Sequence, residues 1–125
     1  MVVLPKALTS IADQVFMDCS NLKSVSIPDT VTSIGRGAFG DCTKLAEVQL
    51  PKGLTEIPDT FFYGCKSLAK ITIPERVQSV GFNAFEQTLI KEIIFPAALK
   101  TLDTDVVAWC EKLEKIVFKG TTPPT

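Results

Sequence analysis

The chain has 125 residues, 46% hydrophobic and 22% charged, which suits one folded domain with a modest core and not a disordered segment. Its 13 basic and 14 acidic residues are interspersed, for a formal charge of −1, so neither nucleic acid nor an acidic membrane surface is an expected partner. No apolar run approaches the roughly 20 residues that span a bilayer, no basic segment leads into an apolar stretch with a cleavage site, and histidine, the commonest general base and metal ligand, is absent.

Read in chain order, the first element is the short extended run Val2, Val3 and Leu4, closed by Pro5. Leu8 and Ile11 then mark a second extended piece. "FMDC" follows, and the pattern starts again with Leu22, Val25 and Ile27 before Pro28. Pro5, Pro28, Pro51 and Pro74 are 23 residues apart and Pro96 follows after 22. The cysteines keep the same beat: Cys19, Cys42 and Cys65 are 23 apart, Thr88 takes the next place, and Cys110 follows 22 later. One residue is missing just after Thr88, where "TLIKEIIFP" replaces "CTKLAEVQLP".

The apolar positions recur in phase. Leu45-Val48-Leu50, Leu68-Ile71-Ile73, Ile90-Ile93-Phe95 and Leu113-Ile116-Phe118 repeat the first strand pattern, and Val31-Ile34, Leu54-Ile57, Val77-Val80 and Leu99-Leu102 repeat the second. Between them Phe39 and Cys42 stand three apart, as the inner side of one helical turn requires. A unit of this size cannot bury its own apolar face. The expected architecture is therefore a solenoid of about five 23-residue units, approximately 5–27, 28–50, 51–73, 74–95 and 96–118, with 119–125 as a C-terminal tail. Proline suits the corner because it fixes φ and lacks a backbone donor.

The unit "LKSVSIPDTVTSIGRGAFGDC" resembles the leucine-rich repeat found in BspA-like bacterial surface proteins and Treponema repeat proteins, with its Ile-Pro, Val-x-x-Ile-Gly and Ala-Phe-x-x-Cys order. The resemblance covers nearly the whole chain. It implies a mostly β solenoid with short helical turns and a parallel sheet on the concave face, at the cell surface or secreted, in a role of adhesion or protein contact. Thr88 for cysteine, Val107 for phenylalanine and Lys119 for proline depart from the pattern, all in the last two units.

Four cysteines raise metal and disulfide readings. A zinc site needs pairs converging on one point, whereas these recur at one position on successive rungs and are expected in single file, as buried small hydrophobes. Equivalent side chains point in parallel, which disfavours bridging. No metal and no cofactor is expected. Nor is catalysis: no histidine activates the serines or threonines, no nucleophile elbow is present, and the glycines of "GRGAFG" serve turns.

The candidate binding residues are those flanking the inward positions of the first strand series. One column is Ser24, Glu47, Lys70, Glu92 and Lys115; its neighbour is Val3, Ser26, Gln49, Thr72, Ile94 and Val117. The first column alternates in charge and reads either as a cross-strand stabiliser, worth about 0.2–1 kcal/mol per pair, or as a ligand-reading stripe. In the second, Ile94 and Val117 suit a contact site or simple strand propensity. Phe82 stands where Arg36 and Asp59 stand in earlier units and is a candidate convex-side anchor.

The expected function is a non-catalytic protein-binding module holding a protein or peptide ligand on its concave sheet and rims. A structural spacer within a longer surface protein is the alternative, and surface glycan binding a further one. The counterpart of Leu22 would precede residue 1, so Met1 reads as the start of an excised or designed fragment, and "FKGTTPPT" reads as the better stop. An exposed N-terminal strand edge predicts weak self-association.

Overall fold

In the computed structural model, which describes residues 2–121 and 124–125, the chain winds as a coil whose turns have three walls. The first is a parallel ladder of strands β1 (Val2–Val3), β3 (Ser24–Ser26), β5 (Glu47–Gln49), β8 (Glu92–Phe95) and β10 (Lys115–Phe118). A narrower second ladder contains β2 (Ser10–Ile11), β4 (Ser33–Ile34), β6 (Glu56–Ile57), β7 (Ser79–Val80) and β9 (Thr101–Leu102). Its registers keep the intervals read from the sequence, 23 residues at Ser10↔Ser33 and Ile57↔Val80 and 22 at Val80↔Leu102, past the missing residue.

The third wall departs from expectation. It consists of tight turns and not helical turns, and the backbone angles give the reason. Each turn carries a left-handed residue near both ends: Gln14 and Asp18, Gly37 and Asp41, Thr60 and Gly64, Asn83 and Gln87, Asp105 and Trp109, all with φ between 54° and 73°. A right-handed helix cannot run through such positions. Bonds three residues back close the turns, for example from the Cys65 N–H to Phe62 O at 3.0 Å.

These turns form the unbroken spine of the stack. At each rung interface three backbone N–H groups donate to the next rung: Gln14, Phe16 and Asp18 to Arg36, Ala38 and Gly40 at 2.8–2.9 Å, and so on through Asn83, Phe85 and Gln87 to Thr104, Val106 and Ala108. Inside the wall, Phe16, Phe39, Phe62 and Phe85 line up with ring centroids 5.2, 5.9 and 5.6 Å apart. Phe39, Phe62 and Phe85 are fully buried, each worth roughly 1.5–3 kcal/mol of transfer free energy. Val107 continues the column with less bulk and is only half-buried.

Both ladders, by contrast, are interrupted. The second breaks between β4 and β6. Its regular bond runs from the Gly35 N–H to Ile11 O (2.8 Å) and from the Gly81 N–H to Ile57 O (2.7 Å). Pro58 occupies the matching place between them and has no N–H to give.

The first ladder breaks on both sides of residues 70–73, so the strand expected around Ile71 and Ile73 does not pair. The residue missing after Thr88 accounts for the break toward β8. In intact rungs two successive N–H groups fork onto one carbonyl, as Ala46 and Glu47 do on Lys23 O (2.9 and 3.3 Å) and Glu114 and Lys115 on Lys91 O (2.8 and 3.2 Å). Across the shortened link the Leu89 N–H bonds Leu68 O instead, at 2.9 Å, and the fork onto Ala69 does not form.

The C-terminal end also differs from expectation. The side chains of β10 that should close the core, Ile116 and Phe118, are 44% and 45% exposed, although Phe118 stacks on Phe95 at 5.2 Å. It is an open rung. Part of the expected tail resumes the coil, since the Thr125 N–H donates to Lys100 O (3.0 Å) and Thr125 O accepts from the Leu102 N–H (3.3 Å), adding two bonds beside the second ladder. Thr122 and Pro123 of that tail lie outside the described residues.

Candidate binding face

The outward residues of the first ladder fall into the two columns expected. Ser24 faces Glu47 and Ser26 faces Gln49 across β3 and β5; Lys115 faces Glu92 and Val117 faces Ile94 across β10 and β8. Val3 continues the second column beside Ser26 and is 80% exposed. Lys70 and Thr72 are exposed but outside the hydrogen-bonded register, because their segment is the unpaired one. The columns are thus brought together in two blocks separated by a gap.

Alternating charge does not produce an ion-pair ladder. Among the described residues the one salt bridge is Lys119 to Glu75 at 3.0 Å, so no oxygen of Glu47 or Glu92 lies within 4.0 Å of the Lys70 or Lys115 ammonium. All four side chains are exposed, where solvation competes with pairing worth only about 0–1 kcal/mol. The stabilising reading of this column therefore loses its geometric basis. In the neighbouring column the Ser26 hydroxyl reaches Gln49 Oε1 at 3.4 Å, and Ile94 is 40% exposed.

Phe82 opens the fourth turn of the third wall and is 42% exposed beside Arg36, Asp59 and Thr60. Its backbone is fixed by the Asp59 carboxylate, which accepts the Phe82 N–H at 3.0 Å. Sequence reasoning missed Trp109, 73% exposed at a left-handed position with φ 57°. Its counterparts Asp18, Asp41, Gly64 and Gln87 are polar or small, and that contrast was the available signal.

The four cysteines are free and sit at one position of the repeat, with Thr88 in that place on the fourth turn; two are buried and two half-buried. Their role is more specific than space filling. The thiols of Cys42, Cys65 and Cys110 donate to the carbonyls of Phe16, Phe39 and Phe85 on the preceding rung at 3.0, 3.1 and 3.0 Å. Because the single S–H of Cys110 is committed there, the Thr88 hydroxyl, 3.3 Å away, is the donor to its sulfur. Burial pushes the Cys42 thiol up to about 11, lowered in part by a backbone hydrogen bond to Cys19 and raised by negative charge at Asp18 and Asp41. Burial pushes Cys65 further in the same direction. Such thiols are poor nucleophiles at neutral pH.

A parallel solenoid with a leucine-based repeat and an exposed strand face defines a leucine-rich-repeat protein. The chain belongs to the BspA type leucine rich repeat family, whose sequence model matches residues 1–122 as six copies. No curated protein matches it. Among solved structures it is similar to the leucine rich repeat protein of T. pallidum, with 34% identity, a TM-score of 0.88, and coverage of 92% of this chain and 56% of that one. It is also similar to a leucine rich cell surface protein from Faecalibacterium prausnitzii, with 32% identity, a TM-score of 0.88, and coverage of 94% and 31%. A leucine-rich repeat protein from Bacteroides ovatus gives 33% identity, a TM-score of 0.86, and coverage of 88% and 29%. The chain thus spans about a third to a half of the lengths of these structures. Among the described residues no helix is long and apolar enough to cross a membrane.

Proposed function

We propose that the chain is a non-catalytic protein-binding module of a bacterial surface or secreted adhesion-type protein, holding its ligand on the strand face formed by the two outward columns. The observation that carries this reading is that Glu47, Lys70, Glu92 and Lys115 stand exposed on that face without ion partners among the described residues. Charges left unpaired on a rigid frame are available to a ligand, and a preorganised frame loses little conformational entropy when it binds. The family and the cell-surface relative support the location. We also propose weak self-association of this chain through the edge of β1 opposite β3, which is unpaired among the described residues and where Val3 is exposed; sedimentation showing a strict monomer at high concentration overturns it.

The test replaces Glu47, Lys70, Ile94 and Val117 together by serine or threonine. Capture of partners from host-cell surface extracts is compared with that of the parent chain. Lost capture with an unchanged circular dichroism spectrum supports the face. Unchanged capture overturns it and favours a spacer.

A further inference from the structure

The interruption of the first ladder leaves a cleft between β5 and residues 70–73. No backbone hydrogen bond joins that segment to residues 47–50 or 92–95, and no ladder pairing is present on either side. The cleft toward β5 has a volume of about 620 Å³ and is walled by Val48, Gln49 and Leu50 on one side and Thr72, Ile73 and Pro74 on the other. A smaller one, of about 110 Å³, lies on the β8 side between Ile71 and Ile94.

Backbone geometry gives the larger cleft its character. Glu47 and Gln49 turn their backbone groups toward β3, as the bonds from Glu47 N–H to Lys23 O and from Ile27 N–H to Gln49 O show. Alternation along a strand then directs the N–H and C=O groups of Val48 and Leu50 into the cleft, with those of Thr72 opposite. Two unpaired edges therefore face one apolar space. Such an edge is a template for an added strand.

Charge sets the direction of the occupant. At the C-terminal end of both walls, just past the Pro51 and Pro74 corners, stand Lys52 and Arg76, and both are exposed. Of the nearby carboxylates, Glu75 is engaged by Lys119 at 3.0 Å and Asp29 accepts the Lys52 backbone N–H at 2.9 Å. Neither cation has a carboxylate within 4.0 Å among the described residues. A strand added parallel to these walls brings its own C-terminal end to that pair of cations.

We propose that this cleft is a docking site for an extended peptide segment with alternating apolar side chains, which adds a strand to the interrupted sheet and sets a terminal carboxylate against Lys52 and Arg76. It deepens the protein-binding function proposed above and rests on it, and it lies in the gap between the two blocks of that face, sharing Gln49 and Thr72 with it. The walls supply main-chain affinity, Val48, Leu50 and Ile73 the apolar contact, and the two cations the polarity.

The probe is a dye-labelled hexapeptide alternating valine and threonine with a free C-terminal carboxylate, read by fluorescence anisotropy. The expected result is saturable binding that weakens about tenfold when the carboxylate is amidated or when Lys52→Ala and Arg76→Ala are combined. The peptide methylated on alternate amide nitrogens should not bind. In the free protein the amides of residues 70–73 should exchange with deuterium rapidly, and slow when peptide is added. Protected amides in the free protein, or tight binding of the methylated peptide, overturns the proposal. Self-association abolished by the Lys52→Ala, Arg76→Ala pair also overturns it, giving the cleft to a second copy. The four-residue face variant leaves the apolar walls of the cleft in place. No peptide binding by the parent chain, with its capture by the face intact, therefore sinks the cleft alone, and peptide binding without face capture sinks only the wider reading.

Discussion

Replacing Gly35 by alanine tests how the second ladder and the turn wall are joined. A Cβ at Gly35 would meet the Asp13 Cα at 2.5 Å and crowd the Asp13 backbone nitrogen and carboxylate as well. That carboxylate accepts the Arg36 N–H at 2.9 Å, so the new methyl competes with a bond that spans two rungs. The same device recurs at Gly81 above Asp59, whose Cα would lie 2.8 Å from an added Cβ. Where the rung below carries Arg36 instead of aspartate, the position above is Pro58. Overpacking against backbone costs about 1–3 kcal/mol, and loss of a hydrogen bond to a charged group adds about 1.5 kcal/mol at the low end that suits exposed Asp13. We therefore expect Gly35→Ala to destabilise by about 2.5–4.5 kcal/mol, lowering the urea midpoint by roughly 1.2–2.2 M for an m-value of about 2 kcal/mol/M. The assay is urea unfolding followed by circular dichroism, with Gly53→Ala as control, since a Cβ there meets nothing within 4 Å. A Gly35→Ala midpoint indistinguishable from that of Gly53→Ala would refute the reasoning.

Thr60 is a β-branched residue held at φ 54°, in the position Gly37 fills one rung earlier. Thr60→Gly should stabilise by about 0.5–1 kcal/mol, because relief of the left-handed cost of about 1–2 kcal/mol exceeds glycine's extra unfolded-state freedom; a lowered thermal midpoint contradicts this. The buried thiols make a pH prediction. Their folded values lie above the ordinary 9.0, so their contribution is complete below pH 9 and is lost as pH climbs from 9 through about 11 for Cys42. Urea midpoints measured across that range should fall more steeply for the parent than for a Cys42→Ala, Cys65→Ala variant, and parallel slopes would count against it.

The period, the phase of both strand series, the file of thiols and the two outward columns were legible in the residues alone. These are set by side chains repeating every 23 residues, so each unit confirms the next. The break at Pro58 was also written there, in a residue without a donor at a ladder position, but it stands outside the corner-proline series that draws the eye. The rest depends on how whole rungs pack on one another. Left-handed φ values at both ends of each turn cannot be read from residues as different as Gln14, Thr60 and Trp109. One missing residue after Thr88 predicts a shift of register, but whether the coil absorbs it in the turns or in the sheet depends on which contacts yield first. Here the turn wall, tied by three bonds per interface and a packed phenylalanine column, holds its phase, and the pairing of residues 70–73 with β8 gives way.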